Sequence, residues 1–264
     1  MVEMFDTQQC MSEHFSEVAA AYNDLRKTDL EPLVFIRGML NGNRGLTAAD
    51  IGCGAGRYCL EMLQQLGIYH LTCIDNNESM LRETSRYLRA AGATNFKTVR
   101  ASAEDIPLSN DSLDCIFSFN AIHHFDLVRF LQNAAKIIRD GGSIFIYTRL
   151  RSQNAKNIWG RYFPLFLEKE NRLYELSELG EIVNSVTSLA IECIKRFKYR
   201  RVTSLSRLVE LAQGGHYSTF SLYGKSEFEA AMREFQRNIK RSFYDLERIE
   251  WFDENTLLML VKET

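Results

Sequence analysis

Short apolar runs alternate with amphipathic segments between Thr47 and residue 149 of this 264-residue chain. The apolar runs predict strands at 47–51, 70–74, 96–100, 114–119 and 142–149, and the amphipathic segments predict helices at 57–66, 78–91 and 126–138. This alternation favours an α/β fold in which helices cover both faces of a parallel sheet. Because crossovers between parallel strands are right-handed, we expect a doubly wound sheet that binds its ligand beyond the carboxyl ends of the strands.

The flanking segments follow other patterns. Residues 10–26 carry one apolar stripe, and a second helix is predicted to begin near Asp29, with Asp29 as its cap and Pro32 in its first turn. After Leu150 the alternation stops: a helix is predicted from Ser177, a strand at 194–202, helical segments over 204–243 and a last strand at 256–261. We therefore expect a mostly parallel seven-stranded sheet and divide the chain into N-terminal helices that form a lid (1–45), a sheet core (46–150) and a helical cap that carries the last strands (151–264).

Three glycines at alternate positions, Gly52, Gly54 and Gly56, separate the first predicted strand from the first predicted helix. Glycine lacks Cβ, so the backbone can adopt positive φ there and approach a ligand closely. The spacing is not that of the dinucleotide motif G-x-G-x-x-G, because Arg57 stands where the third glycine belongs. A nicotinamide dehydrogenase is therefore the least favoured function, and a strand-to-helix turn without a ligand stays as an alternative.

An acid, Asp75, ends the second predicted strand. A carboxylate at this position can accept hydrogen bonds from both hydroxyls of a ribose. The alternative is a helix cap without a ligand, a role for which Asn77 is also a candidate.

Five motifs occur in a characteristic order between residues 46 and 150. They are Asp50-x-Gly52-x-Gly54-x-Gly56, Asp75, Ala103-Glu104-Asp105-x-Pro107, Phe119-Asn120-Ala121-Ile122-His123-His124 and Arg139-Asp140-Gly141-Gly142. In this order they resemble the class I, seven-stranded S-adenosylmethionine-dependent methyltransferases, and within them the small-molecule group that includes the ubiquinone and menaquinone methyltransferases. The resemblance implies S-adenosylmethionine as cofactor, S-adenosylhomocysteine as product, a Rossmann-like core and no metal.

The resemblance also implies which residues bind the cofactor. Backbone groups of Gly52 and Gly54 would meet the ammonium and carboxylate of the aminocarboxypropyl arm, and Asp75 would hold the ribose. The other expected contacts are Cys53 in the glycine loop, Asn76 beside the ribose, Ser102, Ala103 and Glu104 around the adenine, and Asn120 under the sulfonium. For Glu104 a solvated loop acid is the alternative.

The candidate acceptor residues lie at the rim and outside the core. His123 and His124 follow the fourth predicted strand, and an imidazole with a pKa near 6.5 can take a proton from an acceptor as the methyl is transferred. The resemblance favours His124 as this base, and packing or helix capping is the alternative for both. Further candidate contacts are Tyr22, Trp159 and Tyr217. For each of them an aromatic core position is the alternative.

Composition narrows the class of protein. Hydrophobic residues make up 45% and charged residues 25% of the chain, which are ordinary values for a globular protein, and the net charge of −2 gives no general attraction to nucleic acid. The six cysteines lack metal-type spacing, which favours a reduced, intracellular protein. No apolar run reaches the roughly 20 residues that span a bilayer, and Met1 to Gln9 lack the regions of a signal peptide. We expect a cytoplasmic monomer or homodimer.

The leading hypothesis is an enzyme that moves a methyl group by in-line displacement to a small molecule bound under the helical cap. A basic run from Lys195 to Arg201 and the cluster Arg237, Lys240 and Arg241 motivate an alternative, an RNA (tRNA)-modifying methyltransferase. For the run, an edge strand whose charges prevent sheet-to-sheet association is the structural interpretation. A third hypothesis is a regulatory protein that binds S-adenosylmethionine without catalysis.

Overall fold

The computed structural model of the chain describes residues 13–16, 18–19, 26–42 and 44–263. Its strands are β1 Leu46–Ile51, β2 Ile68–Asp75, β3 Phe96–Arg100, β4 Leu113–Phe119, β5 Ile138–Thr148, β6 Leu189–Thr203 and β7 Ile249–Lys262. Its helices are α1 Glu31–Met39, α2 Arg57–Gln65, α3 Glu78–Ala90, α4 Leu127–Ile137, α5 Arg151–Asn154, α6 Ile158–Tyr162, α7 Phe166–Lys169, α8 Leu176–Asn184, α9 Leu205–Gln213 and α10 Lys225–Ser242. Short 3-10 turns occur at Ile122–His124 and Ser218–Leu222. Within these ranges no helix is both long and apolar enough to cross a bilayer.

The strands form one sheet in the order β3-β2-β1-β4-β5-β7-β6. β1 is parallel to its neighbours β2 and β4, with Asp50 opposite Cys73 on one side and Phe117 on the other. β7 breaks the parallel pattern, because it pairs with β5 in the antiparallel direction. The predicted α/β class with a mostly parallel seven-stranded sheet is therefore confirmed. The strand order reverses at β1, and such a switch point is where open α/β sheets bind ligands.

Burial accounts for the central strands β1 and β4, and side-chain caps account for the starts of helices α3 and α4. β1 and β4 are buried on both faces, as the continuous apolar runs of their sequences require in a parallel sheet. Asn77 begins α3 by accepting a hydrogen bond from the backbone N–H of Met80 at 3.1 Å, and Asp126 begins α4 in the same way through Arg129 at 3.2 Å. The expected cap at Asp29 is wrong, because α1 begins after Leu30 without a side-chain hydrogen bond, although Pro32 does lie in its first turn.

The chain divides into two compact units. The unit that we call the sheet unit consists of Lys27–Thr148, Tyr174–Phe197 and Thr256–Thr264, and the insert unit consists of Met1–Arg26, Arg149–Leu173 and Lys198–Asn255. The sheet unit has a core of strand and helix residues that includes Leu33, Cys59 and Phe117. The insert unit has a separate core, which is dominated by aromatic side chains such as Phe163 and Phe235. Each unit thus buries its own apolar surface.

Candidate functional site

The glycine loop follows β1 directly and leads into α2. Gly52, Gly54 and Gly56 all have positive φ, at 72°, 55° and 81°. A Cβ on Gly52 would lie 2.5 Å from the Cβ of Ala121, and one on Gly56 would lie 2.9 Å from the Cγ2 of Thr84. The loop therefore requires glycine for two reasons, since a side chain would strain the backbone and collide with its neighbours.

Asp75, at the end of β2, lies against this loop. Its Oδ2 accepts a hydrogen bond from the backbone N–H of Gly54 at 2.9 Å, and its Oδ1 accepts one from that of Asn77 at 2.9 Å. Burial raises the pKa of this carboxyl, and backbone hydrogen bonds from Asn77, Gly54 and Asn76 oppose that rise. The side chain stays partly exposed, and a carboxylate has about four acceptor positions, so it can still accept a ligand hydroxyl.

Most of the backbone N–H and C=O groups of Gly52 and Gly54 form hydrogen bonds within the protein. The N–H of Gly52 donates to the carbonyl of Ile74 at 2.8 Å, and the N–H of Gly54 is held by Asp75. The carbonyl of Gly54 accepts from the Thr84 hydroxyl at 2.5 Å. In the part of the chain that the structure describes, no hydrogen bond reaches the Gly52 carbonyl. Of the two predicted glycines, Gly52 thus offers the backbone acceptor that suits a ligand ammonium.

Cys53 follows Gly52 in the loop, and Asn120 lies in the turn after β4. The Cys53 N–H donates to the Ile74 carbonyl at 3.0 Å, and its side chain is buried. Asn120 follows β4 with a φ of 54°, a left-handed conformation that Asn adopts more readily than most residues, and its N–H donates to Tyr147 at 2.7 Å. Since Ala121 approaches Gly52, the turn after β4, which includes Asn120, packs on the glycine loop.

The segment from Ser102 to Glu104 follows β3 and is fixed by its own hydrogen bonds. The Ser102 hydroxyl donates to one oxygen of the Glu104 carboxylate, and the N–H of Asp126 donates to the other at 2.7 Å. The side-chain amide of Asn133 donates to the Glu104 carbonyl. Glu104 therefore connects this loop to the start of α4 through hydrogen bonds. Ala103 beside it is buried.

His123 and His124 form part of the 3-10 turn after β4. Their ring centroids lie 4.1 Å apart, and both side chains are partly exposed. The N–H of His124 donates to Ala121 at 2.9 Å. Because Asp126 caps α4, neither imidazole is needed as a helix cap.

The remaining acceptor candidates are spread over the chain. Trp159 is only 2% exposed and stacks on Phe235 at 5.2 Å within the insert unit, which favours its alternative role as a core residue. The Tyr217 hydroxyl accepts from Arg149 at 2.8 Å, and the guanidinium groups of Arg149 and Arg26 lie 5.1 and 5.0 Å from its ring centroid. Tyr22 lies outside the described residues.

Two residues near the glycine loop, Thr84 and Arg57, belong to none of the sequence motifs. Thr84 is fully buried on α3 and holds the Gly54 carbonyl. Arg57, at the position of the missing third glycine, donates to the Lys27 carbonyl at 2.8 Å and lies 4.6 Å from the Tyr58 ring. In the sequence, Thr84 stands out only as a hydroxyl residue on the apolar face of a predicted helix. This pattern is common and does not predict which group the hydroxyl binds.

Comparisons with known proteins agree with this geometry. Residues 48–142 match the family described as methyltransferase domain. The chain is 29% identical over 113 residues to the ubiquinone biosynthesis O-methyltransferase of Rhizobium leguminosarum, covering 42% of this chain and 43% of the relative. It is 28% identical over 167 residues to the tRNA (carboxymethyluridine(34)-5-O)-methyltransferase of Mus musculus, covering 59% of this chain and 22% of the relative.

A solved structure shows the same fold. The protein described as a putative methyltransferase from an antibiotic biosynthesis pathway of Anabaena variabilis superimposes with a TM-score of 0.66 at 22% identity. The match covers 89% of this chain and 98% of that chain. The chain spans less than half the length of either curated relative, so these likenesses concern a domain and its fold.

Proposed function

We propose that this chain, which belongs to the class I S-adenosylmethionine-dependent methyltransferases, is an enzyme that transfers a methyl group to a small-molecule acceptor. The observation that carries the proposal is the contact between the Asp75 carboxylate and the Gly54 N–H at 2.9 Å. It supports a nucleoside site because it joins the ends of β1 and β2 at the switch point of the sheet.

The residues at this edge fit the cofactor. Asp75, with Asn76 beside it, would accept the ribose hydroxyls, and the Gly52 carbonyl would accept the ammonium of the arm. The expected adenine contacts are Ser102, Ala103 and Glu104, and those beneath the sulfonium and arm are Cys53 and Asn120. The bound cofactor supplies an activated methyl group on sulfur. The protein has to align the acceptor atom with that methyl and exclude water.

We assign the proton transfer to His124, with His123 as an acceptor contact. The 3-10 turn that carries both histidines follows the carboxyl end of β4, and Ala121 just before it approaches Gly52 of the glycine loop. An imidazole suits an acceptor that loses a proton during transfer. If His124 is the base, H124Q lowers kcat with little change in cofactor affinity, whereas H123Q raises KM for the acceptor.

The charges of the insert unit support a small acceptor over RNA. Lys198 pairs with Glu254 at 3.5 Å and Arg200 pairs with Glu250 at 2.5 Å. Arg201 pairs with Asp253 at 3.2 Å. Acids on β7 therefore offset much of the basic run on β6 that motivated an RNA substrate. The tRNA-modifying relative keeps RNA as the second candidate.

Calorimetry on the full chain tests the cofactor site. We expect S-adenosylmethionine and S-adenosylhomocysteine to bind with dissociation constants in the micromolar range, which lies within the usual range of KM values of enzymes for their substrates. Absence of binding of both compounds at about 1 mM would refute the proposal, because enzyme substrates rarely need more.

Transfer of a labelled methyl group tests the acceptor. The labelled cofactor is incubated with a panel of phenols, quinols, amines and thiols, and in parallel with total tRNA at low salt. Incorporation into a small molecule supports the proposal, and label in tRNA alone would replace it with the RNA candidate. Cofactor binding without transfer to either would favour the regulatory hypothesis. The prediction that residues 151–264 cover the acceptor stays part of this proposal.

A further inference from the structure

A cavity of about 380 Å³ lies within the insert unit. It is bounded by α6, by Phe243 just after α10, by the start of β7 and by Lys198 of β6. Small-molecule sites in proteins occupy about 300 to 1,000 Å³, so the cavity has room for a compact ligand of one or two rings. It contains none of the residues that we assign to the cofactor.

Aromatic side chains form much of its wall. Tyr162 and Phe243 meet edge to face at 5.6 Å, and Trp251 and Phe252 line the cavity from β7. Phe252 is 45% exposed, which is unusual for a side chain of its size and apolarity. Aromatic walls favour planar ligands, because ring-on-ring contacts add to the free energy of burying apolar surface.

The acids of the cavity already have partners. Glu250 accepts two hydrogen bonds from Arg200, at 2.6 and 2.5 Å. Glu254 pairs with Lys198 at 3.5 Å, and the Lys198 ammonium also lies 4.7 Å from the Phe252 ring. These carboxylates are therefore poor sites for a cationic ligand.

Three donors around the cavity are still available. Within the described residues no ion pair or side-chain hydrogen bond engages Arg161 or Lys156, both of which line the cavity and are exposed. The Tyr162 hydroxyl likewise has no hydrogen-bond partner in the described part of the chain, while its backbone carbonyl accepts from Asn238. A guanidinium, an ammonium and a hydroxyl at one cavity match an oxyanion, which guanidinium binds through paired N–H donors.

We propose that this cavity binds a small aromatic acid, with its ring against Phe252 and Trp251 and its acid group on Arg161, Lys156 and the Tyr162 hydroxyl. The acid group is a carboxylate or a phosphate monoester, since both present oxygens that a guanidinium binds in a bidentate manner. The inference goes beyond the proposed function, because the site requires neither the cofactor nor methyl transfer.

Titration of the full chain with three related probes tests the site. The probes are 1-naphthoate, 1-naphthyl phosphate and the neutral analogue 1-naphthalenemethanol, and binding is followed by calorimetry and by tryptophan fluorescence. Trp251 lines the cavity, whereas Trp159, the other of the two tryptophans of the chain, is buried in the core. We expect at least one acidic probe to quench the fluorescence and to bind about tenfold more tightly than the neutral analogue. The tighter of the two acids identifies the acid group.

Variants separate recognition of the charge from recognition of the ring. R161Q should weaken binding of the acidic probe about tenfold without affecting the neutral analogue, whereas R161K should retain part of the affinity. F252A should weaken both probes. R207Q is the matched control, because Arg207 is an exposed arginine of the same unit whose partner is Glu210.

Three results would overturn the proposal. They are absence of a fluorescence or heat signal at millimolar probe, equal binding of the acidic and neutral probes, and equal affinity of R161Q and the unmodified protein. Binding of S-adenosylmethionine is measured on the same samples. Loss of the cavity site with intact cofactor binding, or the reverse, shows which of the two proposals has failed.

Discussion

At the scale of single residues, the proposed cofactor site depends on Asp75, whose two oxygens accept hydrogen bonds from the Gly54 and Asn77 N–H groups and whose side chain is partly exposed. D75N keeps the shape but replaces one acceptor with a donor, so it disrupts the loop and removes a ribose acceptor. Hydrogen bonds to charged groups contribute about 1.5–3 kcal/mol. We therefore expect affinity for S-adenosylhomocysteine to fall by about tenfold to a hundredfold in calorimetry. E229Q, on an exposed position of α10, is the control, and unchanged affinity in D75N would show that Asp75 does not hold the ribose.

The glycine loop gives a second prediction at this scale. G52A places a methyl group 2.5 Å from the Cβ of Ala121 on a backbone with φ of 72°. The left-handed conformation alone costs about 1–2 kcal/mol for a residue with Cβ. We expect a lower melting temperature and no measurable cofactor binding. G180A is the matched control, because nothing lies within 4 Å of its new methyl group inside α8, and there alanine should stabilise the helix by about 0.5–1 kcal/mol. A G52A protein that binds the cofactor normally would contradict this account.

At the scale of elements, α3 controls the loop through Thr84, whose hydroxyl donates to the Gly54 carbonyl at 2.5 Å. T84V retains the volume of the side chain and removes the donor, so the partly buried Gly54 carbonyl loses its hydroxyl partner. A neutral hydrogen bond contributes about 0.5–1.5 kcal/mol, so cofactor affinity should fall between about twofold and tenfold. S85A removes the hydroxyl of the next residue on the same helix, which pairs with the Thr98 hydroxyl at 3.5 Å and not with the loop, and should leave cofactor affinity unchanged. Equal effects of the two substitutions in calorimetry would assign the loss to α3 as a whole.

A comparison of predicted and observed strand boundaries shows which strands can be located from the sequence pattern alone. β1 to β4 begin and end within two residues of their predicted positions. β1, β2 and β4 are mostly buried apolar runs between turn residues, as strands inside a parallel sheet require, whereas β3 lies at the edge of the sheet and is partly exposed. β7 was predicted only at 256–261, whereas it extends over Ile249–Lys262. Its first half alternates exposed and buried residues and includes Glu250 and Glu254, so an apolar run detects only the second half. Pairing with a neighbouring strand, which sequence spacing does not encode, extends it.

At the scale of the whole molecule, the assignment of segments to units was the least predictable property. Residues 151–173 belong to the insert unit, the following 24 residues, Tyr174–Phe197, return to the sheet unit, and Lys198–Asn255 belong again to the insert unit. Hydrophobic periodicity identifies the face that a helix buries, but it does not identify the core that receives that face. The residues that we propose for the cofactor could be selected from the sequence because the carboxyl ends of the adjacent strands β1, β2 and β4 meet at the switch point. The cavity lined by Arg161 and Phe252 joins segments that are far apart in the sequence, and no motif marks it.

The stability of the whole molecule should report on Asp50, which is 1% exposed and accepts a hydrogen bond from the Cys59 thiol at 3.1 Å. Burial raises the pKa of this carboxyl from 3.8 to about 7, with a smaller contribution from the charge of Asp75. Between these two values the folded protein keeps a proton that the unfolded chain has released. The stability that the protonated Asp50 contributes is therefore present below about pH 4 and is lost as the pH rises towards about 7, by at most about 1.4 kcal/mol per pH unit. D50N cannot titrate, so urea denaturation should show its stability rising relative to the unmodified protein between about pH 4 and pH 7. E229Q should follow the unmodified protein throughout, and parallel pH profiles for D50N and the unmodified protein would mean that Asp50 is already ionised in the folded state.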